Sequence, residues 1–182
     1  MISCSRLLAL GSALALAVQP VLATAQGACL NEDEVSAMAV YAMPGVVQGV
    51  RLRCSDQLAT SGFIARGGDA LSARYAQLQP AAWPKAKSGL LKIVAAKGNA
   101  ATGGRDGLKL LSSLPDSAVR PLVDALIVQE LSPEIDIRQC GRIELLMQAL
   151  DKVDPQVAGT LLGLIAGLVK LDEPAMCTGQ RA

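Results

Sequence analysis

The chain has no histidine, and its 182 residues include only one tryptophan, two tyrosines and one phenylalanine. Each shortage removes a class of chemistry. Without an imidazole there is no Ser-His-Asp or Cys-His arrangement to activate a nucleophile. No S-x-x-K occurs, so a serine–lysine dyad has no local signature either. Zinc loses its usual nitrogen ligand, and the widely spaced cysteines do not assemble a thiolate cluster in its place. Few aromatics also means few stacking platforms for sugars. Charge is without bias: 17 Lys+Arg stand against 16 Asp+Glu. No basic excess argues for nucleic acid or an anionic membrane. No segment alternates apolar and polar residues at period two, and the wealth of Ala, Leu, Val and Gly is a helical composition.

What is present starts with a leader. Arg6 precedes the apolar run LLALGSALALAVQPVL, and Ala23-Thr24-Ala25 offers a small-x-small cleavage site before Gln26. The run is short for a bilayer span and contains Pro20, so residues 1–25 read as a cleaved signal peptide. The expected mature chain, 26–182, loses Arg6 and no acid, which leaves 16 of the 17 basic residues against 16 acidic ones. It is long enough for one domain with a real core. No membrane span is expected after cleavage, and the protein is expected in the periplasm or secreted.

Cys4 departs with the leader, leaving Cys29, Cys54, Cys140 and Cys177. An even number in an exported chain reads as two disulfides. A helical hairpin brings its first and last residues within bonding distance. Each neighbouring pair of cysteines brackets such a hairpin, so the expected bonds are Cys29–Cys54 and Cys140–Cys177.

Asn31 can cap a first helix, with Glu34 completing a capping box and Asp33 suiting the helix N-terminus. Val35, Met38, Ala39 and Ala42 form its apolar stripe, and Pro44 divides it from a second helix through Val46, Val47 and Val50 to Cys54. A third helix is expected over 61–78 with Ile64, Leu71, Tyr75 and Leu78 inward, interrupted by Gly67-Gly68 and stopped at Gln79-Pro80. Trp83 and Pro84 open a fourth, presenting Leu90, Leu91, Val94 and Ala95. The stretch 97–107 is the most loop-like and the best hinge candidate; 108–111 could add a helical turn. After Pro115-Asp116, Val119, Leu122, Val123, Leu126 and Ile127 keep a 3.6-residue period. Ser132-Pro133-Glu134 makes a turn to Cys140. Two antiparallel helices then meet at Asp154-Pro155: one carries Ile143, Leu146, Met147 and Leu150 inward, the other a ridge of Gly159, Gly163 and Gly167. The expectation is an all-α, single-domain bundle of seven or eight helices with two disulfide-clamped helical hairpins.

The glycine helix is uncharged from Pro155 to Val169. That is too short to span a membrane, and it reads as the central helix, covered on all sides. Segment 98–105 imitates a phosphate loop but has Gly104 and Arg105 where Lys and Ser/Thr are required. Glu32, Asp33 and Glu34 serve a helix start, and Glu134, Asp136 and Glu144 lie near Arg138 and Arg142 as a solvated ion-paired surface. Trp83 reads as packed at a helix start rather than as an exposed anchor. No catalytic, cofactor-binding or metal-binding residue is expected. The readings left are a noncatalytic module that binds an unknown protein, a carrier of an apolar small molecule or lipid in an interhelical groove, and a carboxylate-dependent hydrolase.

Overall fold

A computed structural model of the chain describes residues 29–98, 112–169 and 174–177. The signal peptide expected at 1–25, most of the hinge candidate and the helical turn expected at 108–111 lie outside the described residues. Among those described, the fold is all-helical and contains five α-helices rather than seven or eight. They are α1 (Glu32–Cys54), α2 (Phe63–Gly98), α3 (Asp116–Glu134), α4 (Cys140–Leu150) and α5 (Pro155–Leu168), with a single 3-10 turn at Ile137–Gln139. The only pairing of extended backbone among them is an isolated parallel bridge, Leu30 with Met176.

The smaller number of helices has one physical source: the prolines and glycines expected to end, start or interrupt helices lie inside them. Pro44 is within α1, Pro80 and Pro84 within α2, and Pro121 and Pro133 within α3. A helix-interior proline removes the hydrogen bond to the carbonyl four residues back. For four of the five, that residue (Ala76, Pro80, Ser117 or Gln129) is exposed, so water can take the freed carbonyl. Val40, four before Pro44, is buried and is the exception. Gly67-Gly68 likewise stay helical. A Cβ on Gly68 would sit 3.0 Å from Arg51 Nη2; the bare backbone admits that guanidinium, which donates to the Ile64 carbonyl at 3.1 Å and pairs with Asp69.

α1 is the hub, with α2, α3 and α5 packed around it. Its buried residues include Ala37, Val40, Tyr41, Met43, Val47 and Val50, which do not follow the expected Val35–Met38–Ala39–Ala42 stripe. A helix covered from three directions has no single apolar face to read. On α2, Ile64, Leu71 and Tyr75 are buried and Leu78 packs against them, as expected. Trp83 belongs to a second cluster with Tyr41, Ala86, Val119 and Val123. On α3, Leu122 and Leu126 stay 43% and 42% exposed, because the helix turns Val119, Val123 and Ile127 to the core instead.

The disulfides are paired otherwise than expected. Cys54 bonds to Cys140 and Cys29 to Cys177, with Cα atoms 5.7 Å and 5.0 Å apart. The hairpins that would have justified the local pairing do not close: α4 packs on α2, whereas α5 packs on α1. Cys54–Cys140 instead joins the last residue of α1 to the first of α4. Cys29–Cys177 lies beside the Leu30–Met176 bridge, where Leu30 N–H donates to the Ala175 carbonyl (3.0 Å) and Cys177 N–H to the Leu30 carbonyl (2.8 Å). The loops closed span 86 and 148 residues, for which the loop-closure model gives roughly 4–5 kcal/mol each.

Cys54 and Cys140 are fully buried, while Cys29 and Cys177 are partly exposed. Mild reduction with alkylation and peptide mapping is therefore expected to label Cys29 and Cys177 well before the other pair; simultaneous labelling would contradict this burial. Gly163→Ala is expected to destabilise by roughly 1–3 kcal/mol, since its methyl would meet the Glu32 carbonyl oxygen at 2.5 Å. Gly141→Ala, which meets nothing within 4 Å, should stabilise by about 0.5 kcal/mol. Urea melts of both variants measure the contrast.

Candidate functional site

α5 begins at a strong stop-and-start signal. The Asp154 carboxylate accepts hydrogen bonds from the N–H groups of Gln156 and Val157 (2.9 and 3.1 Å), and Pro155 occupies the first turn. From there to Val169 the helix carries no charge. It was expected to be the covered centre of the bundle; it is instead an outer helix with two unlike sides. Ala158, Gly159 and Gly163 are buried against α1. A Cβ on Gly159 would fall 3.0 Å from the Ser36 carbonyl oxygen and 2.7 Å from Val40 Cγ2. The glycine ridge thus does what its spacing suggested, but for one neighbour only.

The opposite side is bare. On it Val157, Leu161, Leu164 and Leu168 are between 47% and 86% exposed, Leu168 most of all, while Leu162, Ile165 and Val169, in line with the buried Ala158 along the flank, are 41–54% exposed. Single exposed aliphatics are ordinary on a protein surface, but a run of seven on one uncharged helix is not. Val157, Leu161, Leu164 and Leu168 follow each other at intervals of four, three and four, which keeps them in one line along the helix. That spacing, set against glycines confined to the other side, was the signal in the sequence for a two-sided helix. Leu145 and Leu146 of α4 are also exposed, at 66% and 58%, although Leu146 was expected inward.

The concavities have a different character. The larger, about 750 Å³, is an open groove where α1, α2 and α3 meet, with Gln48, Arg51, Ser72, Gln79 and Asp124 in its wall. The smaller, about 480 Å³, lies at the start of α2 against α4 and includes Phe63, Arg66 and Glu144. Glu144 is not part of a solvated ion-paired surface as expected. Its Oε1 accepts the Ile64 N–H at 3.0 Å across 80 residues of sequence, capping α2 from α4. Of the other acids in that group, Asp136 pairs with Arg138 at 2.8 Å, and the hydrogen bond from Arg138 holds its carboxyl below the usual range. Among the described residues no group of three or more His, Cys, Asp or Glu side chains could hold a metal ion.

Trp83 is buried in the interior of α2, not at a helix start, with the Tyr41 ring 5.0 Å away and the Arg120 guanidinium 5.9 Å over its face. It is not available as a surface anchor. Burial first, then the neighbouring Asp124 carboxylate, push the Tyr41 phenol up to about 12, with Arg120 acting in the opposite sense. Its hydroxyl therefore stays protonated at any physiological pH.

The turn of α1 that supports α5 also carries the one buried charge among the described residues. Glu34 completes the expected capping box with Asn31: Glu34 N–H donates to Asn31 Oδ1 (2.7 Å) and Asn31 N–H to Glu34 Oε2 (3.0 Å). The same carboxylate accepts from Ser88 Oγ (2.7 Å) and pairs with Lys92 (2.7 Å), tying α1 to α2. Asp33 pairs with Lys85 beside it at 2.6 Å. Burial alone would raise the Glu34 pKa, but hydrogen bonds from Lys92, Ser88 and the Asn31 backbone outweigh it and hold the carboxyl below its ordinary 4.5.

Comparison of the chain with protein-family models, with curated proteins and with solved structures gave no match. The functional reading rests on the chain's own surface.

The lowered Glu34 pKa sets the sign of a pH effect. The carboxylate's contribution is fully present above the unfolded value near 4.5 and is lost as pH falls through the lower folded value. Glu34→Gln should destabilise by on the order of 1–3 kcal/mol at pH 7, leaving Lys92 without its counter-charge. Melts at pH 7 and pH 3 should show the gap between variant and wild type shrinking in acid. A gap that stays constant would contradict the assignment.

Proposed function

We propose that the protein is an exported, noncatalytic interaction module that binds a partner protein through the outer side of α5. The observation that carries the reading is the line Val157–Leu161–Leu164–Leu168, left uncovered on a helix that docks on α1 through Ala158, Gly159 and Gly163. Interface centres are depleted of charge and well supplied with large apolar side chains, and this side has no charged residue across two heptads. Export is supported by the leader pattern over 1–25. Two disulfides, and no described helix long and apolar enough to cross a membrane, are compatible with a secreted or periplasmic protein.

The carrier reading calls for an enclosed apolar cavity, whereas the two grooves described above are open and include charged side chains. The hydrolase reading calls for two carboxylates converging in a cleft. The buried Glu34 is instead fully engaged by Asn31, Ser88 and Lys92, which favours a structural role.

The test is photo-crosslinking in the protein's native compartment, with the reactive residue at Leu161 or Leu164 and a comparison set at Ala73 or Gln77, exposed on α2. A discrete protein adduct from the α5 positions, absent from the α2 positions, is the expected outcome. Equal labelling from both sets, or none from α5, would overturn the proposal.

A further inference from the structure

We infer that the partner of the α5 surface is a second copy of this chain, joined by antiparallel packing of α5 on α5 about a two-fold axis. This rests on α5 being an interaction surface and goes further by naming what it meets. The spacing along α5 has two-fold symmetry. Val157, Leu161, Leu164 and Leu168 are symmetric about the midpoint between Leu162 and Gly163. Antiparallel pairing at that register sets Leu161 against Leu164 of the other copy and Val157 against Leu168, twice over. An isologous contact demands a surface complementary to itself under two-fold rotation, and this line meets that demand along its whole length.

Charge agrees. A hetero-partner is commonly selected and oriented by complementary charge, and α5 offers none from Pro155 to Val169. The whole chain is close to neutral, with a formal net charge of +1, so long-range repulsion between copies is slight. Area sets the strength. The four side chains of the line, at 47–86% exposure, present on the order of 400 Å² on one copy. A symmetric pair then buries about 800 Å², the size of a weak, concentration-dependent association. The association is thus built on the helix that is already held rigidly from behind by Gly159 and Gly163.

The proposal is tested by sedimentation equilibrium on the full chain as purified from its own source, with intact mass fixing its N-terminus. Wild type is expected to be a concentration-dependent dimer. Leu161→Glu and, separately, Leu168→Glu should weaken association by at least about tenfold while leaving the thermal melt of the dilute monomer unchanged. In the double variant Leu161→Glu/Leu164→Lys, the introduced carboxylate faces the introduced ammonium of the other copy only in the antiparallel arrangement. That variant should recover dimer relative to Leu161→Glu alone. A wild-type monomer across the accessible concentration range, dimers insensitive to both single substitutions, or no recovery in the double variant would each overturn it. The broader reading fails separately. If the purified protein is monomeric but crosslinking from Leu161 in the native compartment gives an adduct of another mass, α5 is an interaction surface for a different protein. If crosslinking also gives nothing, both readings fall.

Discussion

Close approach of backbones around α1 is the constraint on which the bundle depends. α1 is packed by α2, α3 and α5. Its contact with α2 sets large rings together, Tyr41 on Trp83, but the contacts with α3 and α5 are made with small residues. Gly159 and Gly163 of α5 lie against Ser36 and the Glu32 backbone, and Gly45 of α1 lies under Ile127 of α3. Dispersion between closely matched surfaces replaces the burial that larger side chains would have given. Both disulfides then act at the ends of this same helix: Cys54 is its last residue, and Cys29 precedes its cap at Asn31.

That arrangement explains the asymmetry of α5. A helix docked by a glycine ridge has used its small side on its one neighbour, and Leu161, Leu164 and Leu168 fall on the far side by helical geometry. In a larger bundle a further helix would cover them. Among the described residues no element does, and the side is left as an apolar surface on an otherwise well-satisfied fold. The polar groove at the α1–α2–α3 junction contrasts with it: there Arg51, Gln79 and Asp124 sit among internal partners, such as the Tyr41 carbonyl that accepts from Gln79 at 2.9 Å.

Local features were legible in the sequence where a single interaction decides them. The capping box at Asn31–Glu34, the Asp154-Pro155 start of α5, the all-helical class and the inward set Ile64, Leu71 and Tyr75 are of this kind, and each stands in the structure. Features decided by tertiary context were not. Pro80 looks like a stop and Pro84 like a new start until one knows that the carbonyls they strand belong to exposed residues. The inward side of α1 could not be read from periodicity because it has no single outward side. Disulfide pairing was inferred from hairpins, and it changed once α4 and α5 diverged onto different neighbours. The candidate surface was half legible: the glycine spacing announced a close contact, but whether one or several helices would make it is a property of the assembled fold.

The Cys29–Cys177 bond and the Leu30–Met176 bridge also decide how the molecule would bear a pull. Tension applied from segments outside positions 29 and 177 would load a covalent link, and the enclosed helices would carry almost none of it. Ordinary helical bundles yield at low force because their ends peel away first. Here peeling cannot begin, since the two ends are one point. A domain wired in this way passes tension between positions 29 and 177 through one short covalent link, and its outer helix surface keeps its shape under load.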